Sequence, residues 1–218
     1  MKKMLLLAAL LAGQAVANTP DPLLQLPRTL INVRAEPAML EGRSALRVSD
    51  TLPPRSPENT RMVLLELPFT DGEIELDMAG EVLPTASADA RGFVGLAFRA
   101  AGGERYEYFY LRPSNARADD QVRRNHTLQY AAHPGYPWEV LRKQWPERYE
   151  SYADMQPGRW VHVRAVVQGG SARFHINHAE QPSLVVGDLK LGQGGGTVGL
   201  WVGPGTLAHF AGLKITPR

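Results

Sequence analysis

All seven tyrosines of this 218-residue chain fall between Tyr106 and Tyr152. Trp138, Trp145 and Phe109 share that window, interleaved with Arg112, Arg117, Arg123, Arg124, Arg142 and Arg148. Tyr and Trp present a flat apolar body with one polar tip, and Arg adds a planar fork of donors. Such a set can stack on the C–H face of a sugar ring and hydrogen-bond its hydroxyls. Tyr106, Tyr108, Tyr110 and Arg112 recur at period two, so on a strand they share one face, with Phe109 and Leu111 on the other. That row either lines a groove or is covered by a packed neighbour, and the pattern alone admits both. Asn115, Arg123, Arg124, Asn125, His126, Tyr130 and Trp138 complete the candidate ligand-binding residues. Two readings of Asp119 to His126 stand. The run hydrogen-bonds an acidic or neutral sugar, with His126 as a proton carrier, or Asp119 and Asp120 pair with Arg123 and Arg124 and pin the loop.

Glu73, Glu75 and Asp77 also lie at period two, facing one way from one strand. Retaining glycosidases need two carboxyls about 5–5.5 Å apart. Residues i and i+2 of a strand lie near ~7 Å, from a rise of ~3.3 Å per residue. These three and His126 are the catalytic candidates. The alternative is a solvated strand face alternating with buried Ile74, Leu76 and Met78. His175 and His178 have no third ligand near them in sequence, so no metal site is expected. No nucleophile elbow, phosphate loop or dinucleotide fingerprint occurs, and no cofactor is expected. Cys is absent, which removes disulfides, thiolate chemistry and a lipid-anchor thiol.

The elements that must position these residues begin after a targeting segment. Lys2 and Lys3, the short apolar run Met4 to Ala12 and the small-x-small site Ala15-Val16-Ala17 predict a cleaved signal peptide over 1–17. The run is shorter than the ~20 apolar residues of a membrane span. A periplasmic or secreted, soluble product is expected. The full chain carries 24 Lys+Arg and 22 Asp+Glu, and losing Lys2 and Lys3 leaves the two signs equal. No positive excess remains to suit nucleic acid as a partner. Residues 18–29 read as a Pro-rich lead-in and 30–218 as one β-sandwich domain.

Seventeen prolines and 21 glycines punctuate short apolar runs, the pattern of a sandwich or barrel. Strands are expected at Leu30–Arg34, Ala45–Val48, Glu73–Met78, Phe93–Arg99 and Tyr106–Arg112. Met62–Leu67 reads as strand or short helix, and Thr51–Asn59 as a loop. In the tail, Trp160–Val167, Gly169-Gly170 and Ala172–Asn177 form a hairpin, with Val161, Val163, Ala165 and Val167 on one face. Val198, Leu200 and Val202 share a face with Trp201 opposite, His162 is placed beside Trp201, and Phe210–Ile215 closes the domain. Pro137 to Trp145 breaks the β pattern: Trp138, Leu141 and Trp145 fall at i, i+3 and i+7, which predicts a short helix over 137–145. The fold class is all-β, two antiparallel sheets in jelly-roll order.

The hairpin from Trp160 to Asn177 and the ending Gly196-Thr-Val-Gly-Leu-Trp-Val-Gly, then Phe210-Ala-Gly-Leu-Lys-Ile, resemble the concanavalin A-like lectin/glucanase superfamily. Laminin G-like domains and exported 3-keto-disaccharide hydrolases are the subgroups they resemble. The resemblance covers about Leu30 to Ile215 and implies the sandwich without a catalytic signature. Family glucanases place Glu, an apolar residue, Asp and a later Glu on one strand, whereas Glu75 and Asp77 stand here in the reverse order. The leading expectation is an exported protein that recognises a glycan or other polyhydroxylated ligand. The alternatives are a glycoside-cleaving enzyme, with two acid/base groups in the groove, and an envelope protein with an aromatic docking face.

Overall fold

The computed structural model describes residues 19–56 and 60–218. The expected signal peptide and the end of the Thr51–Asn59 loop lie outside the described residues. The first strands are β1 (Arg28–Ile31), β2 (Val33–Leu40), β3 (Arg43–Asp50), β4 (Met62–Phe69) and β5 (Gly72–Val82). They are followed by β6 (Val94–Ala101), β7 (Arg105–Leu111), helix α1 (Gln121–Asn125), β8 (Leu128–His133), helix α2 (Trp138–Gln144) and β9 (Glu150–Ser151). The chain closes with β10 (Val161–Gln168), β11 (Ser171–Ile176), β12 (Leu184–Val186), β13 (Gly196–Val202) and β14 (Thr206–Pro217).

The strands form two seven-stranded antiparallel sheets, β1-β4-β13-β6-β7-β8-β9 and β12-β11-β10-β5-β14-β3-β2. The core lies between them, and strands such as β5 and β10 alternate apolar-in and polar-out while β6 and β7 are buried on both faces. Val94, Leu96 and Phe98 of β6, Phe109 of β7 and Leu200 of β13 are fully buried, as are Ile74, Leu76, Val163, Ala165 and Phe174 of the facing sheet. The Phe109 ring stacks on Phe174 across the gap, with centroids 4.2 Å apart. Each such Val, Leu, Ile or Phe side chain contributes about 1.5–3 kcal/mol by leaving water. The β10–β11 hairpin pairs Ala165 with Phe174 and Val163 with Ile176, as the alternation requires.

Several local expectations are corrected. Leu30–Arg34 is not one strand: Asn32, at φ 54°, breaks it, and β1 and β2 join different sheets. Asn tolerates the left-handed region, and the Asn32 amide donates to the Thr60 carbonyl at 3.0 Å. Met62–Phe69 is strand throughout. Pro37 sits within β2, where an edge position tolerates a residue without an N–H. The lead-in is anchored on the sandwich: Leu23 is buried, and the Asp21 carboxylate accepts from Gly212 N–H (2.7 Å), where β14 bulges. Asp120 caps α1 by accepting from Arg123 N–H (2.8 Å), so the loop is pinned through a backbone cap and not through the Asp–Arg ion pairs of the second reading. Helix α2 is one residue shorter at each end than predicted, with Pro137 and Trp145 as its caps.

Candidate ligand-binding site

Because Phe109 faces the core, Tyr106, Tyr108 and Tyr110 must point from the outer face of their sheet. Trp201 does the same from β13, with β6 between the two strands. Two strand spacings are about 9–10 Å, too far for ring contact. The rings meet because the intervening residues are small. Gly95 pairs with both Tyr110 and Trp201, and Ala97 with both Tyr108 and Gly199. The aromatic side chains lean over these gaps. Trp201 comes within 5.0 Å of both Tyr108 and Tyr110, centroid to centroid, and the two tyrosines stack 5.6 Å apart with their planes 15° from parallel.

Three connections wall this floor. The β5–β6 loop brings Ser87, Asp89, Ala90, Arg91 and Phe93; the β7–β8 connection brings Arg112, Asn115, Arg123 and His126; α2 and its lead bring Pro137, Trp138 and Arg142. They enclose a cleft in two joined parts. The wide part, about 820 Å³, has Tyr108, Tyr110, Phe93 and Trp201 at its base and Arg55, Arg61, Glu139 and Pro204 on its walls. The narrow part, about 320 Å³, is lined by Asp89, Arg91, Phe93, Arg112, Asn115, Arg123, His126, Trp138 and Arg142. Asp89, Phe93 and Trp138 border both. Volumes of this size are typical of small-ligand sites.

A buried ion-pair group holds the narrow part in place. Arg112 is almost wholly buried, and its guanidinium donates to the His126 carbonyl (3.0 Å), Glu150 (3.2 Å), the Tyr110 hydroxyl (2.8 Å) and Gln129 (3.2 Å). Arg142 donates to Glu150 through Nε (2.8 Å) and Nη2. The Trp138 ring lies under both guanidiniums, 4.4 Å from Arg142 and 5.6 Å from Arg112. Burial pushes the Glu150 carboxyl up, but the Arg142 hydrogen bonds and the Arg112 and Arg142 charges outweigh it and leave it below the usual carboxylate range. Burial lowers His126, with the Glu150 charge opposing, so its imidazole is neutral at pH 7. Burial also pushes Tyr110 up to about 12, against the Arg112 charge, and Tyr108 well above its ordinary value. Both are phenols at neutral pH and act as hydrogen-bonding groups.

Two polar atoms of the floor are unspent. The Trp201 indole N–H is buried without a partner. Among the described residues the Tyr108 hydroxyl, unlike that of Tyr110, has no hydrogen bond to the protein. A buried N–H is seldom left so, whereas the Tyr108 hydroxyl keeps some accessible surface in the cleft.

This chain has structural relatives. It matches a carbohydrate-binding module, CBM66 from Bacillus subtilis, with TM-score 0.53 and 11% identity over 85% of this chain and 95% of that one. It matches a protein of unknown function with a galectin-like fold, also from Bacillus subtilis, with TM-score 0.51 and 15% identity over 85% and 90%. The fold is the concanavalin A-like lectin and glucanase sandwich. No family model and no curated protein matches the sequence.

On this concanavalin A-like frame the predicted residues divide. Tyr108, Tyr110, Arg112, Asn115, Arg123, His126 and Trp138 converge on the cleft. Arg112 does so with both terminal nitrogens already engaged, so it supplies charge and rigidity instead of a free fork. Tyr106 shares the row but is sealed, stacked on His133 with its hydroxyl on Thr60 (3.2 Å). Tyr130 faces the core, because β8 sets it opposite Phe109, and its hydroxyl donates to Glu107. Arg124 turns to Tyr152, and Asn125 accepts from Gln121 at the exposed end of α1.

Glu73, Glu75 and Asp77 lie outside the cleft, on the outer face of the other sheet. They pair there with Arg164 (3.2 Å), Lys214 (3.1 Å) and His162 (2.8 Å). His162 therefore does not neighbour Trp201. His178 stacks on His162, while buried His175 contacts the Ala179 carbonyl. Trp201 was missed as a site residue although its parity pointed outward. Arg142, Asp89, Arg91 and Phe93 were also missed; Asp89 and Arg91 lie on a loop without periodicity.

Proposed function

We propose that this is an exported carbohydrate-recognition protein, directed by a leader over residues 1–17, whose ligand lies in the cleft of the Tyr108–Trp201 sheet. The observation that carries the reading is the aromatic floor with two unspent polar groups, the Tyr108 hydroxyl and the Trp201 N–H. A sugar ring would cover the apolar rings, and its hydroxyls would meet the Tyr108 hydroxyl and the polar wall. The likeness to a carbohydrate-binding module is one of fold and is compatible with this. Glycoside cleavage draws no support from the Glu73 row, which lies on the opposite sheet.

The test is an oligosaccharide array followed by calorimetry on the mature protein and Tyr108→Phe. The wild type should bind at least one glycan. Tyr108→Phe should melt within a few degrees of it and bind about 3–10-fold more weakly, the loss expected for one neutral hydrogen bond. A folded wild type that binds no glycan at millimolar concentration, or a variant with unchanged affinity, would refute the reading.

A further inference from the structure

The narrow part of the cleft differs from the wide part in charge. Four guanidiniums, those of Arg91, Arg112, Arg123 and Arg142, line it. Glu150 beneath answers Arg112 and Arg142 jointly with one negative charge. Asp89 on the wall is the single acid among the lining residues. Four positive charges thus meet two negative ones, on a chain whose total charge is only +2. Arg91 and Arg123 have no carboxylate partner among the described residues. Arg91 Nη1 donates to the Ala88 and Ala90 carbonyls (2.6 and 2.8 Å). Arg123 reaches only the Asn115 side-chain oxygen, at 3.5 Å.

We propose that the narrow end receives the anionic substituent of an acidic polysaccharide, a uronate carboxylate or a sulfate ester, while neighbouring sugar rings lie on Tyr108 and Trp201. This rests on the recognition reading above and adds the ligand class. Arg123, exposed at the rim on a short helix, is free to swing its fork onto such a group. Arg112 and Arg142 are fixed by Glu150 and Trp138 and supply an immobile field behind it. Neutral His126 adds no charge at pH 7 and offers a ring nitrogen to the same group. The wide part sets Arg55 and Arg61 against Asp89 and Glu139 over an apolar base, with Arg61 already paired to Asp50, so the positive excess and the acidic substituent belong to the narrow end.

The experiment uses matched oligosaccharides of glucan, galactan and mannan. Each is prepared neutral, oxidised at C6 to the uronate, and sulfated at C6, and is titrated into the mature protein at 50 and 500 mM NaCl. In at least one series an acidic form should bind about 10–100-fold more tightly than its neutral parent at low salt, the span of a charge-assisted hydrogen bond. That advantage should shrink at high salt. Preference for the oxidised form identifies a carboxylate ligand, and preference for the sulfated form a sulfate ester. Arg123→Gln, checked for folding by thermal melt, should lose most of the preference. Neutral parents binding as tightly as their acidic derivatives, or an undiminished preference in folded Arg123→Gln, would overturn the assignment and leave glycan recognition standing. Failure of every series in every form would count against both.

Discussion

Glu150→Gln tests the physical account of the cleft most directly. The Glu150 side chain is 3% exposed and that of Arg112 6%, so the pair is out of water. Glu150 accepts charge-assisted hydrogen bonds from Arg142 Nε and Nη2 and from Arg112 Nη1. Removing one partner of a buried pair typically costs ~3–5 kcal/mol, because the other charge stays buried and unanswered. Glutamine keeps the shape and one carbonyl acceptor, which returns about 1 kcal/mol. The expected loss is therefore about 2–4 kcal/mol at pH 7. A domain of this size shifts by about 2–4 °C per kcal/mol, so the melting temperature should fall by roughly 5–15 °C.

The assay is urea denaturation of both proteins from pH 7 to pH 3, followed by Trp fluorescence and circular dichroism. The folded pKa of Glu150 lies below the unfolded value of 4.5, so in that window the unfolded chain binds the proton first. The wild-type advantage is fully present above pH 4.5 and is lost as pH falls through the folded pKa. Gln does not titrate, so the gap between the proteins should narrow below pH 4.5. A gap under about 0.5 kcal/mol at pH 7 would refute the claim that the pair is buried and coupled, since that is the range of ordinary surface substitutions. So would a large gap that stays constant down to pH 3.

The floor and the histidines give two further expectations. A Cβ on Gly95 would lie 2.5 Å from the Phe109 carbonyl oxygen and 2.7 Å from Tyr110 Cβ. Gly95→Ala should cost about 1–3 kcal/mol by overpacking, and by parting Tyr110 from Trp201 it should weaken glycan binding; a variant with wild-type stability and affinity would show that the rings do not depend on that gap. His209 is 7% exposed and is lowered by burial, with Glu81 opposing and Arg47 adding to the shift. Below its ordinary value of 6.5 the unfolded chain therefore gains the proton before the folded one, and stability should fall as pH drops from 7.5 to 5.5. His209→Gln should fall less over that range in urea midpoint, and equal slopes would contradict the burial argument.

Alternation made much of the fold legible. The Val161–Val167 row, the Gly169-Gly170 turn, the i, i+3, i+7 spacing of α2 and the parity of Tyr108 and Tyr110 follow from period and turn chemistry. Pairing partners did not follow, because register is a long-range property of several strands. Trp201 is 91 residues beyond Tyr110 in sequence, yet β6 brings their rings to 5.0 Å. The dense aromatic window was misleading in one respect: it holds residues of both faces of a sheet. Tyr130 pairs with Phe109, not with the row one step away, and so belongs to the core. Short strands such as β9 and β12 are set by their neighbours and carry too few residues for a periodic signal.

The two outer faces of the sandwich explain why one row of polar-tipped residues suggests a ligand and the other does not. On β5 the three outward acids Glu73, Glu75 and Asp77 find polar partners: Glu73 and Glu75 pair with Arg164 and Lys214 of the flanking strands, and Asp77 with His162 of β10 and Arg43 of β3. Water and these partners satisfy the carboxylates, as cross-strand pairs on a solvated sheet commonly do. The outward residues Tyr108 and Tyr110 of β7 and Trp201 of β13 are aromatic and cannot be satisfied that way. Left bare they would form an exposed apolar patch, so the β5–β6 loop, the β7–β8 connection and α2 fold across them. That cover is anchored at its edges, by Glu150 on Arg112 and by Lys190 set 3.9 Å from the Trp145 ring centroid, and is incomplete over Tyr108 and Trp201. The cover is stiffly held and leaves a cleft above rings that keep 9% (Tyr108) and 6% (Trp201) of their surface exposed, as a largely preformed site does.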